Sequence, residues 1–198
     1  FAVNRHTLIP RPDSETLIEA VLARLPDHSF SGTILDLGTG SGCLLLTLLH
    51  LFPHARGMGV DISTEALDVA QQNAVRLGLS ERVEFRTGSW CDGLTESFDL
   101  IISNPPYIPQ RDASGLMRDV REYEPYAALF AGEDGLDAYR TFLPQLAERL
   151  NPKGFVVLEC GAGQANAVAA LAQQSHLRLL EIRNDLAGHA RAVVVGVS

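Results

Sequence analysis

The residues best equipped for chemistry stand in one tetrapeptide, Asn104-Pro105-Pro106-Tyr107. The two prolines fix φ and remove two N–H donors. The backbone carbonyls and the Asn104 amide oxygen remain as acceptors, and Tyr107 offers a flat face. This set suits a planar nitrogen carrying two N–H groups, such as a carboxamide or an exocyclic amine. The lone pair of that nitrogen is delocalised, so it must pyramidalise before it attacks an electrophilic carbon. Acceptors that hold its N–H groups keep it in line and favour the electron-rich form as charge develops. No histidine base or nucleophilic side chain is needed. The plain alternative is a rigid Pro-Pro turn with a core tyrosine.

A second cluster lies upstream. Ile34-Leu35-Asp36-Leu37-Gly38-Thr39-Gly40-Ser41-Gly42 runs from a strand pattern into a helix pattern. A dinucleotide fingerprint would need a third glycine at Cys43, and no Gly-Lys-Ser/Thr follows for a phosphate loop. What remains is a loop that lets a ligand approach bare backbone at the carboxyl end of the first strand. The helix N-terminus behind it favours an anion, and the methionine carboxylate of S-adenosylmethionine is one such anion. Asp61, 23 residues beyond Gly38, ends the second strand. A carboxylate there can accept both ribose hydroxyls, unless it is only a turn or cap residue. Trp90 follows the third strand and can lie against adenine or serve as a core aromatic. The candidate cofactor set is therefore Gly38, Thr39, Gly40, Ser41, Gly42, Asp61 and Trp90, with Asn104 shared. Asp36 is expected to support the loop from beneath.

The elements that must position these residues alternate between strand and helix patterns, which argues for an α/β domain with a mainly parallel sheet. Strands are expected at 33–37, 56–60, 82–86, 98–103, 154–159, 178–183 and 192–197. Helices are expected at 14–25, capped by Ser14, at 42–52, at 64–77 between a Ser63 cap and Gly78, and at 137–150 and 165–174. The last two strands flank a turn at 185–188, so an antiparallel pair should form at one edge. From Asn104 to Leu136 no period is visible, and prolines at 105, 106, 109 and 125 punctuate the stretch. Such a stretch is functional or hides short helices.

Bulk properties narrow the classes. The 198 residues suffice for one domain with a sizeable core, and 46% hydrophobic with 20% charged residues is an ordinary globular composition. A net charge of −8 speaks against a nucleic-acid partner, because phosphate contacts need Lys and Arg. The longest apolar run, 43–52, is about half a membrane span, and no secretory signal is visible, so no membrane partner is expected. Three scattered cysteines form neither a disulfide framework nor a zinc spacing; free thiols in a reducing cytosol are expected. The six histidines lack ligand spacing, so no metal site is expected. Arg11 and Glu15 can shape a substrate entrance or form a surface ion pair. Glu122 and Glu124 can meet a basic partner or form a solvated face. Glu159 ends a strand near the cleft.

Two resemblances extend this reading. The stretch Val60-Asp61-Ile62-Ser63-x-x-Ala66-Leu67-x-x-Ala70-x-x-Asn73 resembles the region after the glycine loop in class I S-adenosylmethionine-dependent methyltransferases. Across nearly the whole chain, three further segments resemble the HemK family, the release-factor glutamine N(5)-methyltransferases. They are Phe1-x-Val3-x5-Ile9-Pro10-Arg11-Pro12-x-x-Glu15, Glu124-Pro125-x-x-Ala128-Leu129-x-Ala131-Gly132-x-Asp134-Gly135-Leu136-x-x-Tyr139-Arg140, and Asp185-Leu186-Ala187-Gly188-x-x-Arg191.

The resemblance implies a Rossmann-like, seven-stranded, mainly parallel sheet with an antiparallel edge strand and helices on both faces. It implies a cytoplasmic enzyme, expected as a monomer, that methylates the glutamine of the Gly-Gly-Gln loop of class I release factors. The products would be S-adenosylhomocysteine and the N-methylated glutamine, whose amide would enter beside Asn104, Pro105, Pro106 and Tyr107. Methylation of adenine N6 in nucleic acid, or of a ribosomal-protein glutamine, is the alternative. The ribosomal-protein branch carries Ser-Pro-Ile after the arginine; this chain has Pro12-Asp13-Ser14. The family's small N-terminal helical domain is absent here, so residues 1–198 read as a single catalytic domain. Other departures are Asp13-Ser14-Glu15 for Glu-Thr-Glu, and Ala131 where glycine is usual. None falls within the cofactor or amide motifs.

Overall fold

The computed structural model describes residues 1–115, 120 and 124–197. Glu122 lies outside the described residues. Seven strands form one sheet: β1 (Thr33–Leu37), β2 (Arg56–Asp61), β3 (Val83–Thr87), β4 (Phe98–Ser103), β5 (Leu150–Glu159), β6 (Leu177–Asn184) and β7 (Ala190–Val197). Their order is β3-β2-β1-β4-β5-β7-β6. The first five run parallel. The antiparallel pair stands at one edge as expected, and β7 is the reversed strand, tucked between β5 and β6.

Strand residues alternate between two cores because successive side chains point to opposite faces. Leu35, Leu37, Ile101, Val156 and Leu158 pack under α5 (Asp137–Leu146) and α6 (Ala165–Gln174). Ile34, Leu100, Ile102, Phe155 and Val157 pack under α1 (Glu15–Arg24) and α2 (Cys43–Leu51), and Ala74 brings in α3 (Thr64–Arg76). Both faces of the sheet are thus covered, as a parallel sheet requires.

The segment after β4 does hide short structure. A single helical turn, α4 (Tyr126–Leu129), precedes an isolated bridge between Ile108 and Phe130. That bridge folds the return of the segment back along the tetrapeptide. The observed elements depart furthest from the expected boundaries at one junction. The helix at 137–150 ends at Leu146 and tightens into a 3-10 turn over Ala147–Arg149, and β5 begins at Leu150, four residues before its expected start.

The sheet order dictates where a site must fall. Strand order reverses between β1 and β4, so the loops leaving these two strands part to opposite faces and leave a crevice. Leu37 and Ser103 are the last paired residues of the two strands. The Ser103 hydroxyl donates to the Leu37 carbonyl at 2.7 Å, tying the two strand ends together. Gly38 and Asn104 therefore emerge side by side.

Candidate active site

The glycine loop is built on left-handed backbone. Gly38, Gly40 and Gly42 have φ of +70°, +55° and +78°, a region that costs an L-residue about 1–2 kcal/mol. The Gly38 and Thr39 N–H groups donate to the Val60 carbonyl at 2.8 and 3.0 Å, fastening the loop to β2. The Gly40 N–H donates to Asp61 Oδ2 at 2.8 Å, and the Ser63 N–H to Asp61 Oδ1 at 3.0 Å. Each Asp61 oxygen keeps a lone pair. Among the described residues the Ser41 N–H has no partner, leaving a backbone donor at the start of α2.

Asp36 lies beneath the loop, buried, and accepts the Thr39 hydroxyl at 2.7 Å through Oδ2. Its Oδ1 has no partner among the described residues. Burial pushes its carboxyl up to about 7; the Thr39 hydrogen bond opposes the rise, and the nearby Asp61 charge adds to it. Support from beneath is what the sequence suggested, and the free Oδ1 adds a place for one more donor.

A cleft of about 280 Å³ opens at this end of the sheet. Gly38 to Ser41, Asp61, Trp90, Asn104 and Pro106 all line it. Trp90 has φ +54°, an uncommon state for a bulky residue. Its ring packs on Phe142 with centroids 4.8 Å apart, so it joins the core with one face and the cleft with the other. Trp90 is thus both a core aromatic and a wall of the cleft.

A second cleft of about 260 Å³ lies on the far side of the tetrapeptide, lined by Arg11, Asn104, Pro105, Tyr107 and Val120 among others. Leu8, Asn104 and Ala128 border both clefts and form the partition. Neither the Pro105 nor the Pro106 carbonyl accepts a hydrogen bond from another described residue. Asn104 Nδ2 donates to Ser14 Oγ at 3.1 Å, which leaves Oδ1 as a free acceptor at the partition.

Several residues read differently in space than in sequence. Ser14 is not a side-chain cap: its backbone is helical and its hydroxyl donates to Glu159 Oε2 at 2.5 Å. The Asp13-Ser14-Glu15 departure thus touches the amide motif after all. Glu159 is fully buried and also accepts the Tyr107 hydroxyl at 3.2 Å. Glu124 is not on a solvated face; its side chain is 4% exposed and pairs with Arg11 at 2.6 Å. Glu15 stands exposed in the first turn of α1. In the tail motif, Arg191 pairs with Asp185 and Asp13, both at 3.1 Å. Among the described residues no cluster of His, Cys, Asp or Glu could hold a metal, and no helix is long and apolar enough to cross a membrane.

Tyr107 is held by a close approach of backbone. Gln164 Nε2 donates to the Tyr107 carbonyl at 2.9 Å. Gly135, at φ +77°, lies so near that a Cβ there would overlap that carbonyl. Gly135→Ala is therefore expected to lower unfolding stability by about 2–4 kcal/mol, since neither the clash nor the φ can be relieved cheaply. Urea denaturation measures this, and an unchanged midpoint would remove Gly135 from the support of Tyr107.

A sheet with this order, a glycine loop after β1 and a carboxylate at the end of β2 define a class I methyltransferase. The methyltransferase domain family matches residues 29–130. The fold is shared with the T. thermophilus 16S rRNA N2 G1207 methyltransferase, solved with AdoMet and guanosine: TM-score 0.70, 20% identity, 96% of this chain and 44% of that one. The release factor glutamine methyltransferase of Rhodospirillum rubrum is 47% identical over 194 residues, which are 98% of this chain and 59% of that protein's length. That of Cereibacter sphaeroides is 46% identical over 193 residues, 98% of this chain and 68% of that protein. The chain belongs to the release factor glutamine methyltransferase family, and it spans about six- to seven-tenths of the length of these relatives.

Proposed function

We propose that the chain transfers a methyl group from S-adenosylmethionine to the side-chain amide nitrogen of the glutamine in the Gly-Gly-Gln loop of a class I release factor. The observation that carries this reading is the meeting of two clefts at Asn104, one lined by the glycine loop, Asp61 and Trp90, the other by Pro105 and Tyr107. Two reactants that approach from opposite sides of one amide acceptor are what methyl transfer to a planar nitrogen needs.

When bound, the methyl donor supplies an electrophilic carbon on a sulfonium sulfur. The residues present fit that molecule. The Ser41 N–H suits its carboxylate, and Asp36 Oδ1, left without a partner, suits a donor such as its ammonium group, directly or through water. The spare Asp61 lone pairs suit the ribose hydroxyls, and Trp90 gives adenine a flat wall.

On the other side, Asn104 Oδ1 and the Pro105 carbonyl accept the amide N–H groups and aim the nitrogen, while Pro106 borders the donor's cleft. As the new N–C bond forms, the C–S bond breaks and its electron pair stays on sulfur. One N–H proton is then released to water. No metal and no covalent enzyme intermediate is required.

The net charge of −8 accords with a protein partner better than with a phosphate backbone. Three free cysteines accord with a cytoplasmic setting, and one copy of the chain carries both clefts, in keeping with a monomer. The test is mass spectrometry of a class I release factor incubated with this protein and S-adenosylmethionine. A gain of about 14 Da on the loop glutamine is the expected result. Label entering DNA or RNA with none in the release factor would overturn the substrate assignment.

A further inference from the structure

The buried carboxylate of Glu159 lies outside both clefts, yet a hydrogen-bonded chain links it to the amide that borders them. Asn104 Nδ2 meets Ser14 Oγ at 3.1 Å, and Ser14 Oγ meets Glu159 Oε2 at 2.5 Å. The second Glu159 oxygen meets the Tyr107 hydroxyl at 3.2 Å. Two members of the tetrapeptide, Asn104 and Tyr107, therefore converge on one side chain.

An asparagine amide has two nearly isosteric ends, and only one of them is an acceptor. The cleft needs the oxygen end; the nitrogen end would set N–H groups against the N–H groups of the incoming amide. Ser14 has a single proton. A carboxylate is acceptor-only, so a charged Glu159 takes that proton and leaves the Ser14 oxygen as an acceptor towards Asn104. Asn104 must then turn Nδ2 to Ser14 and Oδ1 to the partition. A protonated Glu159 can donate to Ser14 instead. Ser14 would then donate to Asn104, and the amide would settle the other way round.

Resting on the functional reading above, we propose that Glu159 and Ser14 are positioning residues for methyl transfer. The Glu159 carboxylate, acting through the Ser14 hydroxyl, sets the polarity of the hydrogen-bonded chain and so fixes the Asn104 oxygen towards the substrate nitrogen. This assigns work to the tail motif as well. Arg191 is clamped between Asp185 and Asp13, next to Ser14 in the chain, and donates to the Cys160 carbonyl at 3.1 Å, one residue beyond Glu159.

The proton load of Glu159 is set by everything packed around it. Burial raises its pKa; the Ser14 and Tyr107 hydrogen bonds and the Arg191 charge act against that rise, and the Asp13 charge adds to it. Asp185 holds Arg191 in place. Tyr139, which donates to the Glu159 carbonyl at 2.6 Å, faces it from α5, and the neutral thiols Cys160, just past the end of β5, and Cys43, at the start of α2, face it as well. Methyl transfer should therefore fail on the acid side, as Glu159 takes up a proton.

The experiment pairs kinetics with the side-chain 15N–1H signals of Asn104, identified by their loss in Asn104→Ala. Ser14→Ala is expected to lower kcat by about 10- to 100-fold while KM for the methyl donor moves less than about threefold. Ser14→Thr, which keeps the hydroxyl, should recover most of the rate. In the wild-type chain the Asn104 signals should move as pH falls through the Glu159 titration. That movement should vanish in Ser14→Ala and in Glu159→Gln, either of which decides the point if the other does not fold. A Ser14→Ala enzyme with wild-type kcat, or Asn104 signals that titrate unchanged in the variants, would overturn the proposal. A wild-type chain that methylates no release factor would instead strike the substrate reading, and the resonances would still decide the polarity of the chain.

Discussion

Replacing Asn104 with alanine is expected to lower kcat by about 1,000-fold or more and to leave the affinity for S-adenosylmethionine within a few-fold of wild type. The asymmetry follows from position. Asn104 follows the end of β4, and Ser103 fixes that end against β1 through the 2.7 Å bond to Leu37. The glycine loop, proposed to face the methyl donor, hangs instead from Val60 and Asp61 on β2. Alanine at 104 removes one acceptor at the partition without touching those bonds. On the proposed function, what is lost is the group that orients the substrate nitrogen and stabilises the charge growing on it, interactions made most strongly in the transition state.

Asn104→Asp is the informative companion. It keeps an oxygen at the partition but loses the donor to Ser14, and it adds a charge near the buried Glu159. Its rate should be close to that of the alanine variant. Single-turnover transfer and calorimetric titration of the methyl donor separate the two quantities. A fully active Asn104→Ala enzyme would end the acceptor mechanism.

The parts of this site that the sequence discloses are those held by neighbours in the chain. Gly38, Gly40 and Gly42 share one loop, Asp61 ends the next strand, and Asn104 to Tyr107 directly follow β4. Local backbone demands, such as φ above zero, mark such residues whatever surrounds them. The two strands that carry the loop and the tetrapeptide read as apolar runs because both of their faces are covered.

Ser14 was hidden for the opposite reason. A serine before an amphipathic stretch reads as a helix cap, yet a 3-10 turn over Pro12–Ser14 precedes α1 and frees the hydroxyl. Its partner, Glu159, lies 145 positions away. No period or spacing encodes such a contact; it exists only because α1 packs across β5 and β7, which sets Ser14 over the end of β5. Glu124 misleads similarly, because its ion pair with Arg11 spans 113 positions. The one available hint was a carboxylate at the end of a strand otherwise buried on both faces, together with an Asp185 and Arg191 pair in the tail. A charge there needs partners, and the tail could have been searched for them.

Asp61→Asn is expected to weaken S-adenosylmethionine binding by about 100-fold or more, with a smaller change in the transfer rate at saturating donor. The substitution keeps size and shape and changes only what the two outer atoms can do. As a carboxylate, Asp61 receives the Gly40 N–H on one oxygen and the Ser63 N–H on the other. An asparagine has one oxygen, so either the loop or the start of α3 must face an NH2 group with an N–H. The side chain can satisfy Ser63, which caps α3 through Ala66, or Gly40, which holds the loop, but not both. Ligand contacts suffer at the same moment, because one of the two acceptors offered to the ribose has become a donor. Both losses fall on binding of the free donor and neither touches Asn104, so KM should rise far more than kcat falls. Titration of S-adenosylmethionine into the variant measures the first effect and methyl transfer at high donor concentration the second. An unchanged affinity would mean that Asp61 serves only as a backbone cap, and the cofactor cleft would have to be drawn without it.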